Sequence, residues 1–122
     1  MRLFLTLFLL AMIPMQTASA NDIEIQNIAV DGQGKNSTDA RARALSKARR
    51  NAFNILTNRL LSSDERKNLP ATDDSTIATM VSHFEINREK LSKNRYLANI
   101  SINFNPRAVR GYLGQYAYIE SN

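Results

Sequence analysis

Ser37–Ser62, STDARARALSKARRNAFNILTNRLLS, decides the fold. Ala44, Leu45, Ala48, Ala52, Ile55, Leu56 and Leu60 recur at helical spacing and form one apolar stripe, which predicts a long amphipathic helix. Asn36 or Ser37 is suited to cap its first amides, and Asp39 sits in the first turn, where the helix dipole favours an anion. The small alanines of the first half allow close approach to a sheet, and the larger residues of the second half fill a core. Arg43, Lys47, Arg50 and Asn54 line the opposite side, flanked by Arg41 and Arg49. A helix of this kind needs a second layer to bury its stripe, and the flanking segments supply one.

Before the helix, DIEIQNIAVD (22–31) has strand character. Ile23 and Ile25 share one parity and Ile28 and Val30 the other, so either a bulge is expected at Gln26-Asn27 or only one half of the segment lies in the sheet. Gly32-Gln33-Gly34 is then expected to break the strand. After the helix, residues 62–74 are polar and predict a loop, followed by a short helix over Thr76–Val81 capped by Asp74 or Ser75. SHFEINREKL and RYLANISINFN predict a hairpin around Ser92-Lys93-Asn94, with Asn94 in a left-handed turn conformation. Tyr96, Ala98, Ile100, Ile102 and Phe104 alternate with polar neighbours, the clearest period of two in the chain. Pairing Ile86 with Ile100 places Phe84 opposite Ile102, and all four land on one face. Asn105-Pro106 opens a last short helix, which Val109 and Leu113 tie to the core and Gly114 stops. The tail, residues 115–122, is either flexible or an edge strand.

The expected class is therefore α+β, in the order β-α-(α)-β-β-α. A three-stranded, mainly antiparallel sheet lies under one long helix in two layers. The third strand is expected at the centre, with the first antiparallel to it on the side away from the second.

The first twenty residues carry a different message. Met1-Arg2 is a short positive start, Leu3–Met15 is apolar apart from Thr6 and Pro14, and Ala18-Ser19-Ala20 precedes Asn21. These are the three regions of a secretory signal peptide, with cleavage expected between Ala20 and Asn21. The apolar run is too short for a hydrocarbon layer of about 30 Å, which takes about 20 residues. Residues 21–122 are then one exported, periplasmic domain with a core of about 22–114, no further membrane span and no cofactor. The chain has no cysteine, which excludes disulfides, thiol catalysis and cysteine-ligated metal.

The net charge is +5, and it is concentrated: residues 35–67 hold nine basic and three acidic side chains. Nucleic acid is an improbable partner after export. An envelope protein or an anionic lipid or lipopolysaccharide surface fits the charge better. The basic face (Arg41, Arg43, Lys47, Arg49, Arg50) is the leading candidate for docking, because like charges at helical spacing repel by about 0.2–0.5 kcal/mol per pair. The bland alternative is that these stems cover apolar surface and keep the protein soluble.

A second candidate is the polar sheet face. His83, Glu85 and Asn87 alternate on one strand, and Asn99, Ser101 and Asn103 lie across the hairpin from them. A histidine and one carboxylate are too few for a durable metal site, which takes three or four ligands. The paired acids Asp64-Glu65 and Asp73-Asp74 suit solvation or helix capping, and Gly32-Gln33-Gly34 lacks the third glycine of a dinucleotide loop. The expectation is a non-enzymatic interaction module docking a protein or anionic surface through the basic helix, or alternatively a small polar-ligand-binding domain.

The signal segment, VDGQGKNSTDARARALSKARRNAFNILTNRL (30–60), and the terminal Phe104-Asn105-Pro106-Arg107-Ala108-Val109 with Leu113 resemble an uncharacterised family of exported proteobacterial domains. The resemblance spans roughly residues 28–113 and implies an envelope location and an α+β module. It brings no catalytic residue, and typical members continue into a second region that this chain lacks. A looser likeness in element order is to the β-α-β-β modules of flagellar and outer-membrane assembly proteins.

Overall fold

A computed structural model describes residues 22–118. The elements are β1 (Ile23–Gln33), α1 (Ser37–Leu60), α2 (Ser63–Asn68), α3 (Asp74–Met80), β2 (Val81–Leu91), β3 (Arg95–Phe104) and α4 (Pro106–Leu113). The sheet order is β1-β3-β2, and both outer strands run antiparallel to β3. The α+β class, the central third strand and the antiparallel first strand are as the sequence predicts. The expected cleavage point, Ala20 and Asn21, lies outside the described residues, as do positions 119–122.

The two halves of β1, of opposite parity in sequence, are brought to one face by a bulge. Ile25 pairs with Ile102 and Ile28 with Ile100, so Gln26 and Asn27 together oppose Ser101. Asn27 takes φ 56°, and its amide donates to Ser101 Oγ at 3.2 Å. The extra residue reverses the parity, so Ile23, Ile25, Ile28, Val30 and Gly32 all share the face of Phe104, Ile102, Ile100, Ala98 and Tyr96. Ile100, Ile102 and Phe104 are fully buried there.

The strand does not break at the glycines. β1 runs on to Gln33, and Gly32 pairs with Tyr96. Its role is clearance: a Cβ on Gly32 would stand 2.1 Å from the Ala40 carbonyl oxygen and 2.8 Å from the Ala44 nitrogen. The helix backbone therefore lies against the strand backbone, with Ala40, Ala44 and Ala48 fully buried in the seam.

Asn36 is the cap of α1, accepting from the Asp39 amide at 2.8 Å. The apolar stripe differs in the second half. Ile55 and Leu60 are each 37% exposed, whereas Phe53 and Thr57 are buried. Past Ala52 the helix turns its buried side toward α3 and α4, and Phe53 meets the Tyr112 ring at 6.4 Å.

The polar stretch after α1 is not a plain loop. Ser62 and Glu65 form a capping box and start α2: the Ser62 hydroxyl accepts from the Glu65 amide, and Glu65 accepts from the Ser62 amide. The cap of α3 is Asp73, one residue before the expected Asp74, so the helix begins at Asp74 and ends at Met80. Asn94 is not left-handed; among the described non-glycine residues only Asn27 and Arg88 have positive φ. Arg88 marks a bulge between Asn87 and Lys90, which turns Glu89 toward the Tyr96 hydroxyl. Val109 and Leu113 are buried as expected. From Gly114 to Ala117 the chain continues as turns and not as an edge strand: the Tyr116 and Ala117 amides donate to the Leu113 carbonyl, and Tyr116 packs edge-on against Tyr112.

The buried apolar residues all lie between Ile25 and Leu113. No described helix is long and apolar enough to cross a membrane.

Candidate functional site

The basic residues of α1 are placed by its helical period, but most of them are already engaged. Arg43 pairs with Asp39 one turn earlier at 3.3 Å. Arg50 reaches the Asp74 carboxylate at 2.6 Å and the Thr72 carbonyl at 2.7 Å, clamping α1 to the start of α3. Lys47 donates to the Asp31 carbonyl of the edge strand β1 at 2.8 Å. Arg49 folds inward, and its buried Nε has no acceptor among the described residues. Gln33, Arg43, Ser46, Lys47 and Asp74 line an open cleft of about 580 Å³, where Ser46 also donates to Asp74. Arg43 and Lys47 share this wall with the Asp74 carboxylate, and with Arg43 paired to Asp39 and Arg50 to Asp74 this face is closer to a stitched seam than to a positive patch.

These contacts leave a pH signature. The Arg95 guanidinium, through its hydrogen bonds, holds the Asp31 carboxyl below the usual carboxylate value, and Arg50 and Ser46 do the same for Asp74. The Lys35 amide lowers Asp39, and the hydrogen bonds from Thr76 lower Asp73. Each depressed value means that the unfolded chain takes up protons first as pH falls. The stabilisation is thus complete above the ordinary carboxylate range and is lost as pH drops through the folded-state values. Thermal melts from pH 7 down to pH 3, at roughly the span over which carboxylates titrate, should show a falling midpoint below about pH 4. Asp31→Asn with Asp74→Asn should flatten that fall. An unchanged slope in the double variant would contradict it.

The opposite sheet face brings its predicted residues together. His83 pairs with Asn103, Glu85 with Ser101 and Asn87 with Asn99. His83, Glu85 and Asn87 are exposed, and Ser101 and Asn103 are buried between the outer strands. Two neighbours of His83 were not legible in the sequence. Asp22 Oδ2 stands 3.8 Å from its Nδ1, and Ser82, extruded by a bulge between Val81 and His83, directs its hydroxyl at Asp22 (2.8 Å) and at the Asn103 carbonyl (3.2 Å). The same hydroxyl lies 3.5 Å from His83 Nδ1, so Asp22, the Asn103 carbonyl and the imidazole are all acceptors within reach of its one proton. Among the described residues no three histidine or carboxylate groups converge on a metal-sized site.

The strongest concentration of unmatched charge is at one end of the molecule, where the β2–β3 hairpin tip meets the start of α1. The Gly34 amide donates to the Asn94 carbonyl at 3.0 Å, which sets Lys35 beside the tip. Arg88, Lys90 and Lys93 belong to the hairpin, and Arg41 sits by the Tyr96 hydroxyl. None of these five forms an ion pair with a carboxylate of the described residues. Asp31 is paired with Arg95 at 2.7 Å and Asp39 with Arg43, whereas Glu89 accepts from the neutral Tyr96 hydroxyl and is the one carboxylate set against these five cations. Burial, and then the bond to Glu89, push the Tyr96 phenol above its ordinary value, so it remains the donor. Leu91, paired with Tyr96 at the end of β2 and preceded by Lys90, is 55% exposed. Sequence reasoning missed this cluster because its members come from three separate segments.

Comparison with known families, characterised proteins and solved structures finds no match to this chain.

Proposed function

We propose that this protein is a non-enzymatic interaction module of the bacterial cell envelope. It acts in the periplasm after removal of its N-terminal signal and docks an anionic partner through the positive end formed by Lys35, Arg41, Arg88, Lys90 and Lys93. The observation behind this is the contrast in charge pairing. The cations in the middle of α1 are spent on Asp39, Asp74 and backbone carbonyls, whereas those at the hairpin end have no carboxylate partner. A docking surface needs cations whose field is not already cancelled nearby. The docking role expected of the basic helix is accordingly assigned to its first turns and the adjoining hairpin. The export-like leader and the resemblance to exported proteobacterial domains support the location.

The His83 face has less behind it as a ligand site. Its residues are aligned, but the face is an open sheet surface without an aromatic platform, and small-ligand sites are usually concave.

Retention of residues 21–122 on an immobilised polyanion separates the two basic surfaces. Reversing Lys35, Arg88, Lys90 and Lys93 to glutamate should weaken binding at low salt at least tenfold, since each cation near an anionic surface contributes about 1 kcal/mol. Changing Arg43, Lys47 and Arg50 to alanine should alter it less. The reverse ranking would refute the assignment.

A further inference from the structure

Given that this end docks an anion at all, we infer that the anion is a phospholipid bilayer and that Leu91 is the side chain that enters it. Leu91 is the last residue of β2, at the tip of a hairpin closed by Ser92, Lys93 and Asn94. A three-residue loop with the Ser92 amide donating to the Arg95 carbonyl holds it forward of the sheet. Its neighbours in sequence are Lys90 and Lys93, with Arg88 one bulge earlier; the Gly34–Asn94 hydrogen bond brings Lys35 to the same hairpin, and Arg41 lies by the hydroxyl of Tyr96, the partner of Leu91. The bulge at Arg88 brings Glu89 to the hydroxyl of Tyr96, the cross-strand partner of Leu91, so a single carboxylate stands among the cations of this end.

This is the pattern of an interfacial contact: one apolar group at the centre, with long cationic side chains around it that keep their heads at the phosphate level. A bilayer accepts any apolar side chain and offers negative charge around the point of entry. An acidic protein surface would need a pocket shaped for Leu91 and would leave it stranded in water otherwise. A single leucine does not anchor a protein, so attachment depends on both elements together and is reversible. Because the charges are exposed, salt at about 0.1 M, with a screening length of about 10 Å, already weakens it.

The chain contains no tryptophan, so Leu91→Trp is a sole reporter. In residues 21–122, its emission should shift to the blue on adding vesicles of phosphatidylglycerol and phosphatidylcholine, and return on adding salt. Pure phosphatidylcholine should leave it unchanged. Leu60→Trp, at the other end of α1 and 37% exposed in the parent side chain, should keep its water-exposed emission throughout. Leu91→Ser should lower vesicle affinity about tenfold, and circular dichroism should show all three variants folded. Polyanion retention without any vesicle binding would overturn the bilayer and leave the positive end as a docking site for another anion. A shift of the Leu60→Trp emission, or vesicle binding with the Leu91→Trp emission unmoved, would overturn the insertion. Failure on both polyanion and vesicles would remove the docking end itself.

Discussion

Replacing Gly32 with valine should leave this protein without a stable fold. Even a methyl group at that position would sit 2.1 Å from the Ala40 carbonyl oxygen, 2.8 Å from the Ala44 nitrogen and 2.9 Å from its Cβ. The two nearest atoms are helix backbone, so no rotamer change clears them. The helix must lift from β1, and lifting it opens the seam in which Ala40, Ala44 and Ala48 are completely buried. Overpacking a core typically costs about 1–3 kcal/mol and more where the backbone must move. Domains have only about 5–15 kcal/mol to lose. Gly32→Ala should therefore lower the urea midpoint sharply, and Gly32→Val should abolish the cooperative transition. Gly111 is the internal control: it lies in α4, and a Cβ there has nothing within 4 Å. Gly111→Ala should hold or raise stability by about 0.5–1 kcal/mol, since glycine is a poor helix residue. An unchanged midpoint in Gly32→Ala would mean that helix and strand do not approach this closely.

Phe104→Ala should cost about 3–5 kcal/mol, the usual range for truncating a buried phenylalanine. Phe104 is fully buried and has a cross-strand partner on both sides, Ile23 on β1 and Val81 on β2. It stands where β3 passes to the Asn105 cap, beside the Asn105 amide that donates to the Met80 carbonyl at 2.8 Å. Strands, α3 and α4 thus converge on this end of the sheet, and the void cannot close without moving several of them. Phe84 serves as the comparison. It shares the same sheet face but is 37% exposed, so Phe84→Ala should cost no more than about 1.5 kcal/mol, in keeping with partial burial. Urea unfolding of both variants, with similar slopes, gives the difference directly. Equal losses would show that β2 is covered as thoroughly as β3, contrary to the placement of α1 over β1 and β3.

Much of the architecture was legible because it is periodic. The alternation from Tyr96 to Phe104 identified the central strand, and the parity switch between Ile25 and Ile28 pointed to a bulge at Gln26-Asn27; the left-handed conformation of Asn27 came only with the structure. Caps built from Asn36 and Asn105 were legible because one side chain satisfies amides two or three residues away. The Ser62–Glu65 capping box is equally local and was available to the same reasoning. Gly32 was misjudged as a breaker because a glycine that clears a distant backbone looks the same in sequence as one that allows a turn. Asn94 was misjudged for a related reason: the left-handed residue belongs to the bulge, at Arg88, and the turn does without one.

The candidate site followed the same division. The cations of α1 were visible as a cluster, but their partners Asp31, Thr72 and Asp74 come from other elements, so only folding revealed that they are largely engaged. The hairpin end could be assembled only after Gly34 met Asn94 and Leu91 met Tyr96. By itself the sequence determined what depends on near neighbours: helix and strand periods, caps, the bulge in β1 and the two-layer class. Tertiary structure alone decided where the backbones touch and which charges survive unpaired, because steric clearance and electrostatic cancellation depend on distances across the fold, which separation along the chain does not encode.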